Sequence, residues 1–453
     1  MNIVVFGTGY IYRKYRFLLN KASVNVIGLI DNDLKKQGTI IDGISVDNPM
    51  NINKYDYDYV FIMSIYVKEM TEQLISLGVE SKCIVQEATF IQYKKFLYKK
   101  VFKCNNSQRI LLLSHVVNLS GAPIALFRMA SILKENGYDV TVATKVTEDI
   151  ENLLYRYLER KISVEVYADW KQLDVENIEK QYNVVIVNTI DLYSFSVTFS
   201  TLKIPILWWL HESDDFYKNI KRNNDFSFLK GENTFIYSVG DRARQACEKH
   251  TGYMVDGNLL YGIPYLVSNE NKIKSKKVRF ALIGYFCELK AQHILMQVIR
   301  EKNNMWQDIA EFWFVGFVDE KTKKMYEKYP NVYCTGVIDN EKMMEIYNNI
   351  DVLLCPSLSD TMPIVVTEAM MNKVLCVVSD KVGQVSYIQP YVNGLVCKAG
   401  DSYELGELIQ WIIEHIDAGK SMGECGFSIY ENNFSMETFE KNVLKIVEDC
   451  LRL

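Results

Sequence analysis

Val352-Leu-Leu-Cys-Pro-Ser-Leu-Ser-Asp360-Thr-Met-Pro-Ile-Val-Val-Thr-Glu368-Ala-Met-Met371 reads as a strand, a loop and the start of a helix. The run Val352–Pro356 is short, apolar and without polar alternation, as a strand covered on both faces is. The loop that follows holds one carboxylate, Asp360, and then turns into a helix carrying Glu368. The first turn of a helix offers unpaired backbone amides and the positive end of its dipole, so this loop suits an anion. A carboxylate beside it suits the hydroxyl groups of a ligand.

The same alternation of short β-branched run and amphipathic helix extends outward in both directions and restarts three times. It predicts α/β architecture with parallel sheets covered by helices. The first run, Met1 to about Phe90, has strands at Ile3–Phe6, Val24–Ile30 and Tyr59–Ser64, and helices at Tyr10–Asn20 and Val67–Leu77. It is a half-size Rossmann-like unit. The second starts at Arg109–Ser114, passes the turn Asn118–Pro123 and a helix ending at Gly137, and closes near Pro264. The third starts at Val278–Gly284, after a lysine-rich polar stretch from Val267 to Lys277 that reads as a linker. Its later strands are Phe312–Gly316, Val332–Gly336, Val374–Ser379 and Gly394–Cys397, and it ends in a helix from about Met436 with Ser435 as N-cap. The expected domains are 1–90, a basic segment 91–107, lobes 108–266 and 267–432, and a C-terminal helix 433–453. Two Rossmann-like lobes facing a cleft, preceded by a small α/β domain, is the predicted architecture; ligands bind such folds outside the carboxyl ends of the strands.

Composition narrows the class. With 453 residues, 49% of them hydrophobic, the chain has material for several cores, and a net charge of −5 gives no reason to expect nucleic acid as partner. The N-terminus lacks the features of a signal peptide, and no apolar run reaches membrane-spanning length, so a cytoplasmic or peripheral protein is expected. Cys334, Cys355, Cys376 and Cys397 recur at one constant interval. Each sits in or at the end of an apolar run, so they read as buried thiols rather than metal ligands, and no metal site is expected.

The quoted stretch resembles glycosyltransferase family 4, retaining enzymes of the GT-B fold, whose second lobe carries an acid, seven residues, then Glu-Ala-Met. Asp360 and Glu368 fit that spacing, with Asp where Glu is usual. The resemblance implies that Asp360 contacts the transferred sugar, that Glu368 contacts the nucleotide ribose, and that Thr361, Met362 and Pro363 present backbone to the diphosphate. Gly284-Tyr-Phe-Cys-Glu-Leu-Lys290-Ala resembles the family's Gly-Arg…Lys-Gly loop. Lys290 takes the diphosphate-neutralising place, Tyr285 stands where Arg is usual and Ala291 where Gly is. Gly336-Val337 resembles the segment that meets the base, and Ser379–Gln384 the turn after the next strand. In the first lobe, Ser120-Gly121 falls on the glycine turn near the donor phosphates, and His211 on the histidine near the transferred sugar. By resemblance the catalytic set is His211, Lys290, Asp360 and Glu368, and no cofactor or metal is required. The donor is expected to be a nucleoside-diphosphate sugar with uridine as the base. The acceptor is expected to be a lipid-linked or oligosaccharide glycan of a bacterial capsule or surface polymer. An epimerase or phosphorylase of the same fold, or a catalytically silent sugar-nucleotide-binding subunit, is the competing expectation.

The first run resembles the small Rossmann-like domains of bacterial polysaccharide-synthesis enzymes. Gly7 and Gly9 fit a dinucleotide turn, Tyr12 takes the third glycine's place, and Asp31 ends the second strand where a ribose contact is expected. The segment Thr89–Lys103 carries five lysines and no acid. Read as a helix, it sets Phe90, Tyr93, Leu97 and Val101 against Lys95, Lys99 and Lys103. That arrangement suits packing between domains or contact with an anionic membrane surface at the inner face of the cell membrane.

Overall fold

The structure is a computed structural model and describes residues 1–21, 24–86, 98–102, 108–148, 150–223, 226–266 and 275–452. Most of the linker expected at 267–277 therefore lies outside the described residues. The chain divides into two compact units: residues 1–192 with 202–206, and residues 193–201 with 207–453.

The first unit opens with a six-stranded sheet. Its strands are β1 (Asn2–Phe6), β2 (Asn25–Ile30), β3 (Ile40–Ile41), β4 (Ile44–Asp47), β5 (Tyr59–Ile62) and β6 (Ile84–Gln86), in the order β3-β4-β2-β1-β5-β6. β1 pairs in parallel with β2 on one side and β5 on the other. Val4, Phe6, Ile30, Val60 and Ile62 form its core with Met70 and Leu74 of the helix Val67–Ser76. The unit continues with β7 (Tyr98–Lys100), β8 (Arg109–Ser114), β9 (Asp139–Lys145), β10 (Ser163–Tyr167) and β11 (Val184–Asn188), ordered β11-β8-β9-β10-β7. β8 to β11 are parallel and buried along almost their whole length, which is why β8 and β11 are runs of Val, Ile and Leu.

One expectation is corrected here. Of the segment read as a helix, residues 89–97 and 103 lie outside the described residues, and Tyr98–Lys100 is a strand, antiparallel to β10. Lys99 is exposed on this strand, and its ammonium pairs with the buried Glu165. The edge of the sheet supplies the partner that decides between helix and strand; a stripe at helical spacing does not contain that information.

The second unit contains β12 (Ile206–Leu210), β13 (Thr234–Ser238) and β14 (Gly257–Asn258), ordered β14-β13-β12. It then builds a six-stranded parallel sheet from β15 (Val278–Ile283), β16 (Ala310–Val315), β17 (Val332–Gly336), β18 (Val352–Cys355), β19 (Leu375–Ser379) and β20 (Leu395–Cys397). The order is β17-β16-β15-β18-β19-β20, so the strand order reverses between β15 and β18. The four regularly spaced cysteines are buried in β17, β18, β19 and β20, as expected. The C-terminal helix, Met436–Leu451, starts where Ser435 Oγ accepts from Thr438 N (3.2 Å). Phe439 on it stacks on Trp209 of β12 (5.8 Å), and a side chain at Gly262 would collide with Phe439 Cβ at 2.7 Å. These contacts tie residues 207–266 to the C-terminal helix within the second unit. Among the described residues no helix is long and apolar enough to cross a membrane.

Candidate active site

The second unit brings four of the expected residues together. Asp360 lies in the loop after β18, and its Oδ2 accepts from Lys290 Nζ at 2.5 Å. Lys290 closes the short 3₁₀ turn Glu288–Lys290 after β15. Burial works to lower the Lys290 pKa, but the Asp360 charge and hydrogen bond outweigh it and hold the ammonium above its usual value. Thr361 Oγ1 donates to the His211 carbonyl (2.8 Å), tying the loop to the end of β12. The two strands flanking the order reversal thus deliver a cation and an anion to one point, where doubly wound folds bind ligands.

The backbone of that loop is held from beneath. Asp360 N donates to Lys381 O (3.1 Å), and Gly383 N to Asp360 O (3.0 Å). A Cβ on Gly383 would lie 1.6 Å from Thr361 O, so only glycine lets the two turns meet. The fully buried Gln384 donates to Pro363 O (2.8 Å) and to Thr367 Oγ1 (3.1 Å). The Tyr261 hydroxyl donates to Met362 O (3.1 Å). With carbonyls 362 and 363 turned down into these donors, the loop enters the helix Ile364–Met371, which has no acidic residue in its first turn. On that helix Glu368 Oε2 accepts from the Tyr347 hydroxyl (2.8 Å). Burial, and then the Glu368 charge, push the Tyr347 hydroxyl far above its ordinary pKa, so it stays a donor that orients the carboxylate.

A pocket of about 190 Å³ opens against Ser359, Asp360 and Thr361, and its opposite wall carries Arg242, Gln245 and Lys249 of the helix Asp241–Thr251. The Arg242 guanidinium donates to the Asp380 carbonyl, while its Nε is buried without a hydrogen-bond partner. Burial lowers its pKa, yet it remains a fixed cation. Asp214, also on this pocket, is held well below the usual carboxylate range by hydrogen bonds from Lys218 and Lys249 and by His250. That places it in an ion-pair cluster at the start of the helix Asp214–Asn223.

Gly284, Gly316 and Gly336 end the adjacent strands β15, β16 and β17. A Cβ on Gly316 would sit 2.2 Å from Gly284 O, and Gly336 has φ +72° with open space where a Cβ would point. Beyond them Tyr285 and Phe317 stack in parallel (6.0 Å, 7°), and Val337 is exposed. Ala291 adopts φ +60°, the left-handed conformation for which glycine is the relaxed residue, and explains the glycine usual there.

Ser120 and Gly121 belong to the first unit. Asn118 Oδ1 accepts from Ser120 N (3.0 Å) and Ser120 Oγ (2.5 Å), and this turn starts the helix Gly121–Glu135. Nearby, His115 Nδ1 lies 3.1 Å from Thr189 Oγ1. Arg242, Tyr261 and Tyr347 escaped the sequence reading: each sits on an element whose pattern is ordinary core or surface, and only the fold brings it to the loop.

The model described as "Glycosyl transferases group 1" matches residues 267–429, and that described as "Glycosyl-transferase family 4" matches 106–249. Residues 1–85 match "C2185-like, N-terminal". Among solved structures, HepE of Anabaena in complex with UDP is 16% identical with TM-score 0.61, over 76% of this chain and 100% of that one. A glycosyltransferase of Rickettsia africae is 14% identical with TM-score 0.62, over 76% and 99%. An uncharacterized 41.2 kDa protein in the cps region of Klebsiella pneumoniae is 23% identical over 143 residues, 31% of this chain; the chain spans 38% of that relative's length. The fold is therefore that of the GT-B glycosyltransferases. Residues 106–249 and 267–429 thus carry the matches to glycosyltransferase family 4 and group 1, with a Rossmann-like domain ahead of them.

Proposed function

We propose that the protein transfers a sugar, with retention of anomeric configuration, from a nucleoside-diphosphate sugar to a glycan acceptor. The observation that carries this reading is the Lys290–Asp360 pair at the mouth of a loop whose carbonyls are tied down ahead of a helix N-terminus. Donor entry separates the pair. Lys290 turns to the diphosphate and Asp360 accepts from sugar hydroxyls, so each charge exchanges one opposite partner for the ligand. Glu368, already oriented by Tyr347, accepts from the ribose. The bond from the anomeric carbon to the diphosphate oxygen breaks as the acceptor oxygen bonds on the same face, and the acceptor proton passes to the departing phosphate. With Tyr285 in the usual place of Arg, Arg242 is the second cation for that departing charge. His211, held at the end of β12, faces the transferred sugar.

Uridine is the proposed base, supported by the fold shared with HepE, whose solved complexes contain UDP and UDP-glucose. A capsular or other surface polymer, built on a lipid-linked acceptor at the inner face of the membrane, is the proposed pathway, supported by the Klebsiella relative's cps location. No metal is assigned a part in the step. The test is release of UDP from a panel of UDP-sugars by the full chain with lipid-linked acceptor. One donor should be consumed with product of retained configuration. Full activity in either Lys290→Ala or Glu368→Ala would refute the site.

A further inference from the structure

We infer that the N-terminal domain holds a second nucleotide site, sharing no residue with the donor loop, for a nucleoside diphosphate or its sugar. A cavity of about 630 Å³ lies at the carboxyl ends of β1, β2 and β5. In the order β3-β4-β2-β1-β5-β6 the chain leaves β1 toward β2 and later returns to β1's other side as β5. That reversal opens a crevice at the strand ends, where doubly wound sheets take ligands. Ligand cavities span about 300–1,000 Å³, so this one has room for a mononucleotide.

The two glycines of the turn differ in a way the fold alone does not explain. Gly7 has φ +96°, and a Cβ there would lie 2.8 Å from Met63 O; the fold requires it. Gly9 is not in the left-handed region, and the nearest atom to a Cβ would be Lys36 Nζ at 3.9 Å. Backbone and packing would accept a side chain at Gly9. The space it would fill is the cavity, and a glycine there lets a ligand approach the main chain.

The lining has three kinds of surface. Lys36, paired with Asp31, and the first amides of the helix Tyr10–Lys21, whose first turn has no acid, supply donors for phosphate. Asp33, Ser64 and Glu69 offer acceptors for ribose or sugar hydroxyls. Tyr10 and Tyr66, 59% and 63% exposed, put aromatic faces at the rim where a base stacks. Asp31 has a different part from the ribose contact expected of it. Its Oδ2 accepts from Thr8 N (2.8 Å), Thr8 Oγ1 (2.6 Å) and Lys36 Nζ (3.1 Å), and its Oδ1 from Asp33 N (2.9 Å). It clamps the glycine turn and holds Lys36 beside it.

The experiment is equilibrium dialysis of the full chain with labelled UDP, GDP, CDP and ADP. The background is a Lys290→Ala/Glu368→Ala variant, which weakens the donor site. At least one diphosphate should still bind; adding Gly9→Trp should weaken it by about tenfold or more, and so should Tyr66→Ala, which removes one stacked face. Thermal melting of each variant separates loss of binding from loss of fold. The inference fails if the double variant binds none of the four. It fails equally if folded Gly9→Trp and Tyr66→Ala forms bind as tightly as their parent. Neither result touches the donor-site reading, which is decided by transferase activity in the single Lys290 and Glu368 variants.

Discussion

Lys290 and Asp360 neutralise one another in the ligand-free site, and that mutual pairing sets what each substitution does. Lys290→Ala leaves Asp360 partly buried and uncompensated, and removes the charge proposed to meet the departing diphosphate. Donor turnover should fall by about 10²–10³-fold in kcat, the scale seen for removal of a preorganised charge-stabilising group. Steady-state UDP release measures it, and a change confined to KM would contradict the role. Gly383→Ala sets a Cβ against the Thr361 carbonyl, so the loop has to move; both the melting temperature and kcat should drop. An unchanged melting curve would mean the two turns are not in contact. His115 gives a pH prediction. Burial lowers its pKa from 6.5, while the charge of Asp191 works in the opposite direction. The folded state therefore disfavours the protonated ring: its contribution is fully present above about pH 6.5 and is lost as pH falls. His115→Gln should flatten the decline in melting temperature between about pH 7 and pH 5.

At the scale of elements, the loop proposed to hold the donor is fixed by turns from elsewhere in the chain. Gln384 and Tyr261 bind the carbonyls of Pro363 and Met362, which fixes the approach to the helix Ile364–Met371. Gln384→Leu keeps the volume and removes the amide, stranding a buried carbonyl at a cost of about 1–3 kcal/mol. The expected result is a lower melting temperature with a raised KM for donor; denaturation and kinetics on the same preparation check it. This level also shows what the sequence discloses. The strand–loop–helix around Asp360 was legible, because apolar runs, an acid and a helix start are all local signals. The loop's supports were not, since Tyr261 and Gln384 meet it through fold contacts. The short strand Tyr98–Lys100 was misread for the same reason: its partner β10 is far along the chain.

In the whole molecule, three Rossmann-like runs were legible from their repeated strand–helix alternation. The contacts of Trp209 and Gly262 with the C-terminal helix were not, because they join residues far apart in the chain. In the first unit, the N-terminal domain meets the following run through its helix Tyr10–Lys21. Arg13 pairs with Glu148 and Arg16 with Glu151, each at 2.9 Å, and Phe17 packs edge-on against Tyr98 and Tyr155. The exposed ion pair contributes little; the buried ring dominates. Phe17→Ala should cost about 3–5 kcal/mol, read as a lower denaturation midpoint, whereas Arg13→Ala should leave that midpoint nearly unchanged. The helix also begins at the N-terminal cavity, so this contact joins that cavity to the strand run that follows it in the first unit. The central claim, however, rests on the donor loop. It is tested most directly by UDP release from UDP-sugars with lipid-linked acceptor, in wild type beside Lys290→Ala and Glu368→Ala. Consumption of one donor by the wild type, lost in both variants, is the predicted result. Turnover undiminished in either variant, or a correctly folded wild type that binds donor and never turns it over, would contradict it.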